Sequence, residues 1–296
     1  MSWAARYGHL DVIQLMLEND KVNVNQADSQ GSTPAMIAAR AGHVEVLRAL
    51  LGHCKININS ISRSGHTVMH YAIWGGKADA LEALLRDGRG DLSRRAPAGE
   101  TLLHQAVALN RYDMVNVLLD HIREVDPKDF DGRTPLELAI SRGHEPIVRI
   151  FLERQAGNVN QISSEGCSLL HLAALSDDEA LIYQLLTQRN VEVNNKYWGR
   201  WTPLHWAVLS GKKSAVKAFL AKKEVDRNIP DQDGCTPLHT AILGRYEEIV
   251  KLLIEDPRVL VLQANDYGNT PFTLARDLGN KKLLKLIEGA VEQLTS

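Results

Sequence analysis

Residues 234–242 read Gly234-Cys235-Thr236-Pro237-Leu238-His239-Thr240-Ala241-Ile242. A threonine followed by proline is a helix start, because the hydroxyl can cap free backbone N–H groups and the ring is already fixed at helical φ. The phrase recurs along the chain with its threonine or serine at Thr33, Thr67, Thr101, Thr134, Ser168, Thr202, Thr236 and Thr270. The successive spacings are 34, 34, 33, 34, 34, 34 and 34 residues. Five positions after each of these anchors stands an alanine: Ala38, Ala72, Ala106, Ala139, Ala173, Ala207, Ala241 or Ala275. An apolar pair recurs further on, from Leu50–Leu51 to Leu253–Ile254. A period of this length marks a stack of small units, none of which can bury its apolar face alone.

Each unit follows from those positions. The anchor opens a short helix, and the recurring alanine marks a close approach between helices. Gly42, Gly76, Gly143, Gly211 and Gly279 stand nine residues after the anchor, where a left-handed residue ends the helix. Asn110 can take that place, whereas Asp177 and Arg245 suit it less well. Stretches such as VEVLRALL and DMVNVLL then carry the period of a second amphipathic helix. Segments such as VNVNQADSQG, rich in Asn and Asp, form the turn to the next unit.

TPLHWA, TPLHTA, GHVEVLRALL and the VNVN and ININ segments resemble ankyrin repeats, and the likeness covers essentially the whole chain. The resemblance implies an all-α fold: a solenoid of stacked helix-turn-helix units with short β-hairpin-like turns. Nine repeats are expected, at about 1–27, 28–61, 62–95, 96–128, 129–162, 163–196, 197–230, 231–264 and 265–296, forming one domain over 1–296. The first lacks its turn and the start of its inner helix, which suggests a piece of a longer protein. At the far end Glu288 replaces an apolar residue, with Lys281, Lys282 and Lys285 around it, as in a polar cap.

Composition narrows the function. With 34 Lys+Arg against 36 Asp+Glu the net charge is −2, which disfavours nucleic acid and anionic membranes as partners. No apolar run reaches the roughly 18–20 residues of a membrane span, and the start, MSWAARYGHL, lacks the parts of a signal peptide. Three cysteines cannot all pair; an intracellular setting, cytoplasmic or nuclear, and a monomeric chain are expected. Cys167 and Cys235, each following a turn glycine two units apart, read as exposed small residues that cannot reach one another.

His70, His104, His171, His205 and His239 stand three residues after their anchors. Neighbouring copies lie about 10 Å apart at ordinary helix separation, too far to share a metal whose ligands sit about 2 Å away. Hydrogen bonding between a turn and its neighbour is the expected role, and His9, His43 and His144 are structural too. With no hydrolase, zinc-protease or P-loop signature, neither a cofactor nor a metal nor catalysis is expected.

The resemblance implies that a partner protein or peptide is recognised by the turn tips and the ends of the inner helices. On that face lie Arg6, Arg40, Trp74, Leu109 and Arg142, then a row of leucines, Leu175, Leu209 and Leu243. The tips add Phe130, Arg133, Tyr197, Trp198, Trp201 and Tyr267. The leucines either fill gaps between inner helices or form a groove for an apolar segment. In the seventh unit Arg200 occupies the usual glycine position and Gly199 precedes it, so that turn is expected to re-form.

Two other readings remain. The chain can be the regulatory part of a larger enzyme, receptor or effector. Trp201 with Trp206 also resembles part of the aromatic cage of methyl-lysine-reading ankyrin repeats. Leu209 stands where those readers place an acid, and Thr240 where another aromatic would help.

Overall fold

The computed structural model describes residues 1–176 and 178–295. Among them are eighteen α-helices and no β-strand, in nine inner–outer pairs. Pro34–Ala41 with Val44–Leu51 is one such pair, and Pro237–Leu243 with Glu247–Ile254 another. All eight anchors are N-cap residues with extended backbone. The recurring alanines, from Ala38 to Ala275, are completely buried, as a close helix approach requires.

The chain divides into two compact units, Met1–Gly157 and Asn158–Ser296. Within each, every inner helix packs on the inner helix of the next repeat and every outer helix on the next outer helix. The first unit holds five pairs and the second four. Outer helices bury one apolar stripe, such as Val46, Leu47, Leu50 and Leu51, or Ile249, Val250 and Leu253.

The tips are hairpins closed by one backbone bond, from the N–H five residues before the anchor to the carbonyl just before it. Asp28 N–H donates to Ser32 O at 3.0 Å, and Asp231 N–H to Cys235 O at 2.9 Å. Neighbouring tips are joined as well: Arg63 N–H donates to Gln30 O (3.0 Å) in the first unit and Asp266 N–H to Asp233 O (3.1 Å) in the second. The packing leaves no room for a side chain at some tip glycines. A Cβ on Gly234, which has φ 75°, would stand 2.5 Å from the Asp266 nitrogen.

Helix ends follow the expectation where it can be checked. Gly42 (φ 82°) and Gly76 (φ 67°) are left-handed, as is Asn110 (φ 53°). Arg245 occupies the same slot at φ 57° despite its side chain. Asp177 lies outside the described residues.

One expectation needs correction. Cys167 and Cys235 are buried, at 3% and 7% exposure. The small side chains in the slot just before the anchor, Ser32, Cys167 and Cys235, pack into the stack, whereas the longer Arg133 in the same slot stays exposed. The backbone N–H of Cys235 donates to Asp231 Oδ1 (2.8 Å), and its sulfur lies 3.4 Å from Asn265 Nδ2. The seventh turn re-forms, as expected, inside an unchanged closing bond. Tyr197 N–H still donates to Trp201 O at 2.7 Å, and Arg200 takes the left-handed slot at φ 62° while Gly199 adds a second at φ 73°.

Candidate binding surface

The anchor histidines are staples. At His104, His171, His205 and His239, Nδ1 accepts the backbone N–H of the anchor at 3.2–3.3 Å. Nε2 then carries the proton and donates to a carbonyl of the next repeat: Arg133 (2.8 Å), Trp201 (3.0 Å), Cys235 (3.2 Å) and Asn269 (3.0 Å). One neutral imidazole thus serves two backbone groups. His70 makes the first bond at 3.2 Å, but its buried Nε2 has no acceptor among the described residues. Burial pushes His70 and His205 down to about 4 and holds His104, His171 and His239 below the usual imidazole value. Glu137 replaces the histidine in the fifth repeat and accepts the Thr134 N–H at 2.7 Å; burial raises its carboxyl.

A second staple went unread in the sequence. Asn25, Asn59, Asn160, Asn194 and Asn228 stand eight residues before an anchor. Each carboxamide donates to a carbonyl of the next repeat and accepts an N–H two residues beyond it. Asn194 does so with Glu224 O (2.8 Å) and Asp226 N–H (2.9 Å). The recurrence at 34-residue spacing was the available signal.

With the backbone held this way, the inner-helix ends are presented to solvent. Leu175, Leu209 and Leu243 in the second unit are 48%, 47% and 51% exposed, so they do not fill gaps in the stack. Leu109 in the first unit is exposed too, as are the tip residues Phe130 and Trp198. Arg142 is exposed but spends a guanidinium N–H on the Ala108 carbonyl at 2.7 Å. Trp201 is half-buried, its indole N–H donating to Asp231 Oδ2 at 3.1 Å. Trp206 meets Tyr197 and His171 edge-on, with ring centroids 5.3 and 5.5 Å away, and its buried Nε1 lacks an acceptor among the described residues.

Trp74 is half-buried rather than free, its ring lying 4.4 Å from His66 and 5.1 Å from Tyr71. It forms one wall of a groove of about 670 Å³ in the first unit, together with Arg6, Asp28, Ser32, Arg40 and Tyr71. Among the described residues, no helix is long and apolar enough to cross a membrane.

The family model for ankyrin repeats (three copies) matches residues 1–96, 88–163, 170–260 and 223–293, and the chain belongs to the ankyrin-repeat family. Members of that family generally bind other proteins and are typically non-catalytic. No curated protein matches the chain.

Proposed function

We propose that the chain is a non-catalytic interaction module that docks a partner protein or peptide on its inner-helix ends and turn tips. Trp74, Leu109, Phe130, Arg142, Leu175, Trp198, Trp201, Leu209 and Leu243 are the contact residues of this reading. The observation that carries it is the row of Leu175, Leu209 and Leu243, half-exposed at regular register in one unit. Covering the exposed half of one leucine contributes roughly 1 kcal/mol before ordering costs. The near-neutral charge favours protein over nucleic acid. The nine repeats act as one monomeric intracellular domain.

The test is Leu209→Glu combined with Leu243→Glu. Both side chains reach solvent, so the melting transition should stay within about 0.5 kcal/mol of wild type. Proteins recovered by affinity capture with the wild-type chain should be lost with the double variant. Unchanged recovery, or a collapse of the melting transition, overturns the reading.

A further inference from the structure

The groove of the first unit differs in chemistry from the leucine row. Arg6, Arg40 and Trp74 occupy the same register in three successive repeats, seven places after the anchor in the second and third. All three line the groove. Neither guanidinium forms an ion pair among the described residues. Asp28, the acid of the groove, is tied to its own tip, its Oδ1 accepting the N–H groups of Gln30 (2.8 Å) and Ser32 (2.9 Å).

The wall also holds a buried hydroxyl pair, Ser32 Oγ and Tyr71 Oη, 2.8 Å apart. Two hydroxyls bring two protons and their mutual bond uses one, which leaves an O–H to donate. Two guanidiniums and a spare hydroxyl make a donor-rich surface suited to a carboxylate. Beside it, His66 and Tyr71 hold the Trp74 ring in place, a prepared wall for an apolar side chain.

We infer that this groove is a second binding site, one that takes an acidic peptide segment. A side-chain carboxylate sits between Arg6 and Arg40, and a neighbouring apolar side chain lies on Trp74. Three repeats at about 10 Å each span roughly 20 Å, which about six extended residues can follow. Two arginines facing one aspartate leave a single net positive charge. That matches one carboxylate and gives little hold on a polyanion. The site extends the protein-binding reading to the first unit and does not depend on the leucine row.

The experiment pans a library of random peptides of about 12 residues against the full chain and synthesises the peptides it selects. Peptides with Asp or Glu next to Leu, Ile or an aromatic residue are expected. Their affinity should fall at least about tenfold in Arg40→Glu and in Arg6→Glu, and again when salt is raised. Replacing the acid of the peptide by its amide should have the same effect. Trp74→Ala should weaken binding, while Leu209→Glu with Leu243→Glu should leave it unchanged, which separates this site from the leucine row. Because Arg6 and Arg40 are exposed, their variants fold, and a thermal melt checks this. A library without binders, binders lacking an acid, or affinities indifferent to both charge reversals would overturn the proposal. So would a phosphoserine peptide that binds about tenfold tighter than its acidic parent.

Discussion

The two units use one repeat but are stapled differently. In Asn158–Ser296, His171, His205 and His239 all reach a carbonyl of the next repeat, and Asn160, Asn194 and Asn228 all bridge. In Met1–Gly157 the third position of the inner helix is Met36, His70, His104 and Glu137 in turn, and only His104 completes its bond to a carbonyl. The asparagine series runs through Asn25 and Asn59 and gives way to Ser93 just before the one repeat with a 33-residue spacing. The fold tolerates both patterns, because apolar packing forms the stack and the staples add to it. The faces differ as well: a donor-rich groove in the first unit, leucines in the second.

The largest contrast lies in a pair of ion clusters at equivalent places. Asp87 holds Arg89 in the first unit as Asp256 holds Arg258 in the second. Only the second has a further arginine, Arg227, 2% exposed, at a position that is Val24, Ile58, Val193 or Val261 in other repeats. Arg227 donates to the carbonyls of Leu220 (2.7 Å), Lys222 (2.8 Å) and Lys223 (3.1 Å), and to Asp256 at 3.2 Å. Although burial alone would raise its carboxyl, the hydrogen bonds and charges of Arg258 and Arg227 bring Asp256 down to about 2. Asp256→Ala therefore strands a buried cation and should cost about 3–5 kcal/mol in urea unfolding. Asp87→Ala, which removes the partner of a half-exposed arginine, should cost about 1 kcal/mol or less. Equal costs would mean that the carbonyls alone satisfy Arg227.

Acid should erode both units through their buried imidazoles. A histidine near 6.5 when unfolded and about 4 when folded is protonated first in the unfolded chain. The unfolded state then binds more protons, so stability is complete above pH 6.5 and is lost as pH falls toward 4. His70 and His205 should each account for roughly 3 kcal/mol of that loss, read from unfolding titrations between pH 7 and pH 4. A flat profile across this window would contradict it.

Alanine at the same two sites sharpens the comparison. His205→Ala strands the Thr202 N–H and takes one of two donors from the Cys235 carbonyl, which keeps the Asp231 N–H, whereas His70→Ala strands only the Thr67 N–H and removes an orphaned Nε2. The same atoms are removed at both sites, so His205→Ala should be the costlier by about 1 kcal/mol.

Register, helix starts and the staple role of histidine were legible because each repeats every 34 residues and has a local cause. What escaped reading depends on neighbours in space. Cys167 and Cys235 look like exposed turn residues, and only the fold shows them packed into the stack, in a slot where Arg133 stays exposed. Arg227 breaks the apolar pattern, yet sequence alone does not place three carbonyls and Asp256 around it. Trp201 reads as a free tip aromatic, and only the fold brings Asp231 to its indole N–H. The leucine row was legible as a row, while its exposure depended on how the inner helices are rotated.

The smallest effect concerns helix ends. Asn110 in the first unit and Arg245 in the second both close an inner helix in the left-handed region, at φ 53° and 57°. Asparagine accepts that conformation through short local hydrogen bonds, whereas a long side chain there costs about 1 kcal/mol or more. Glycine relieves the strain but gives the unfolded chain extra freedom, which takes back part of the gain. Arg245→Gly should therefore stabilise the chain by about 0.5–1 kcal/mol, and Asn110→Gly by close to nothing. Arg245 forms no ion pair among the described residues, so no lost charge pair masks the result. If thermal melts rank the two substitutions the other way, the left-handed slot in the second unit is held by the packing of Tyr246, whose ring lies against Gly244 and Gly211, and not limited by the residue that fills it.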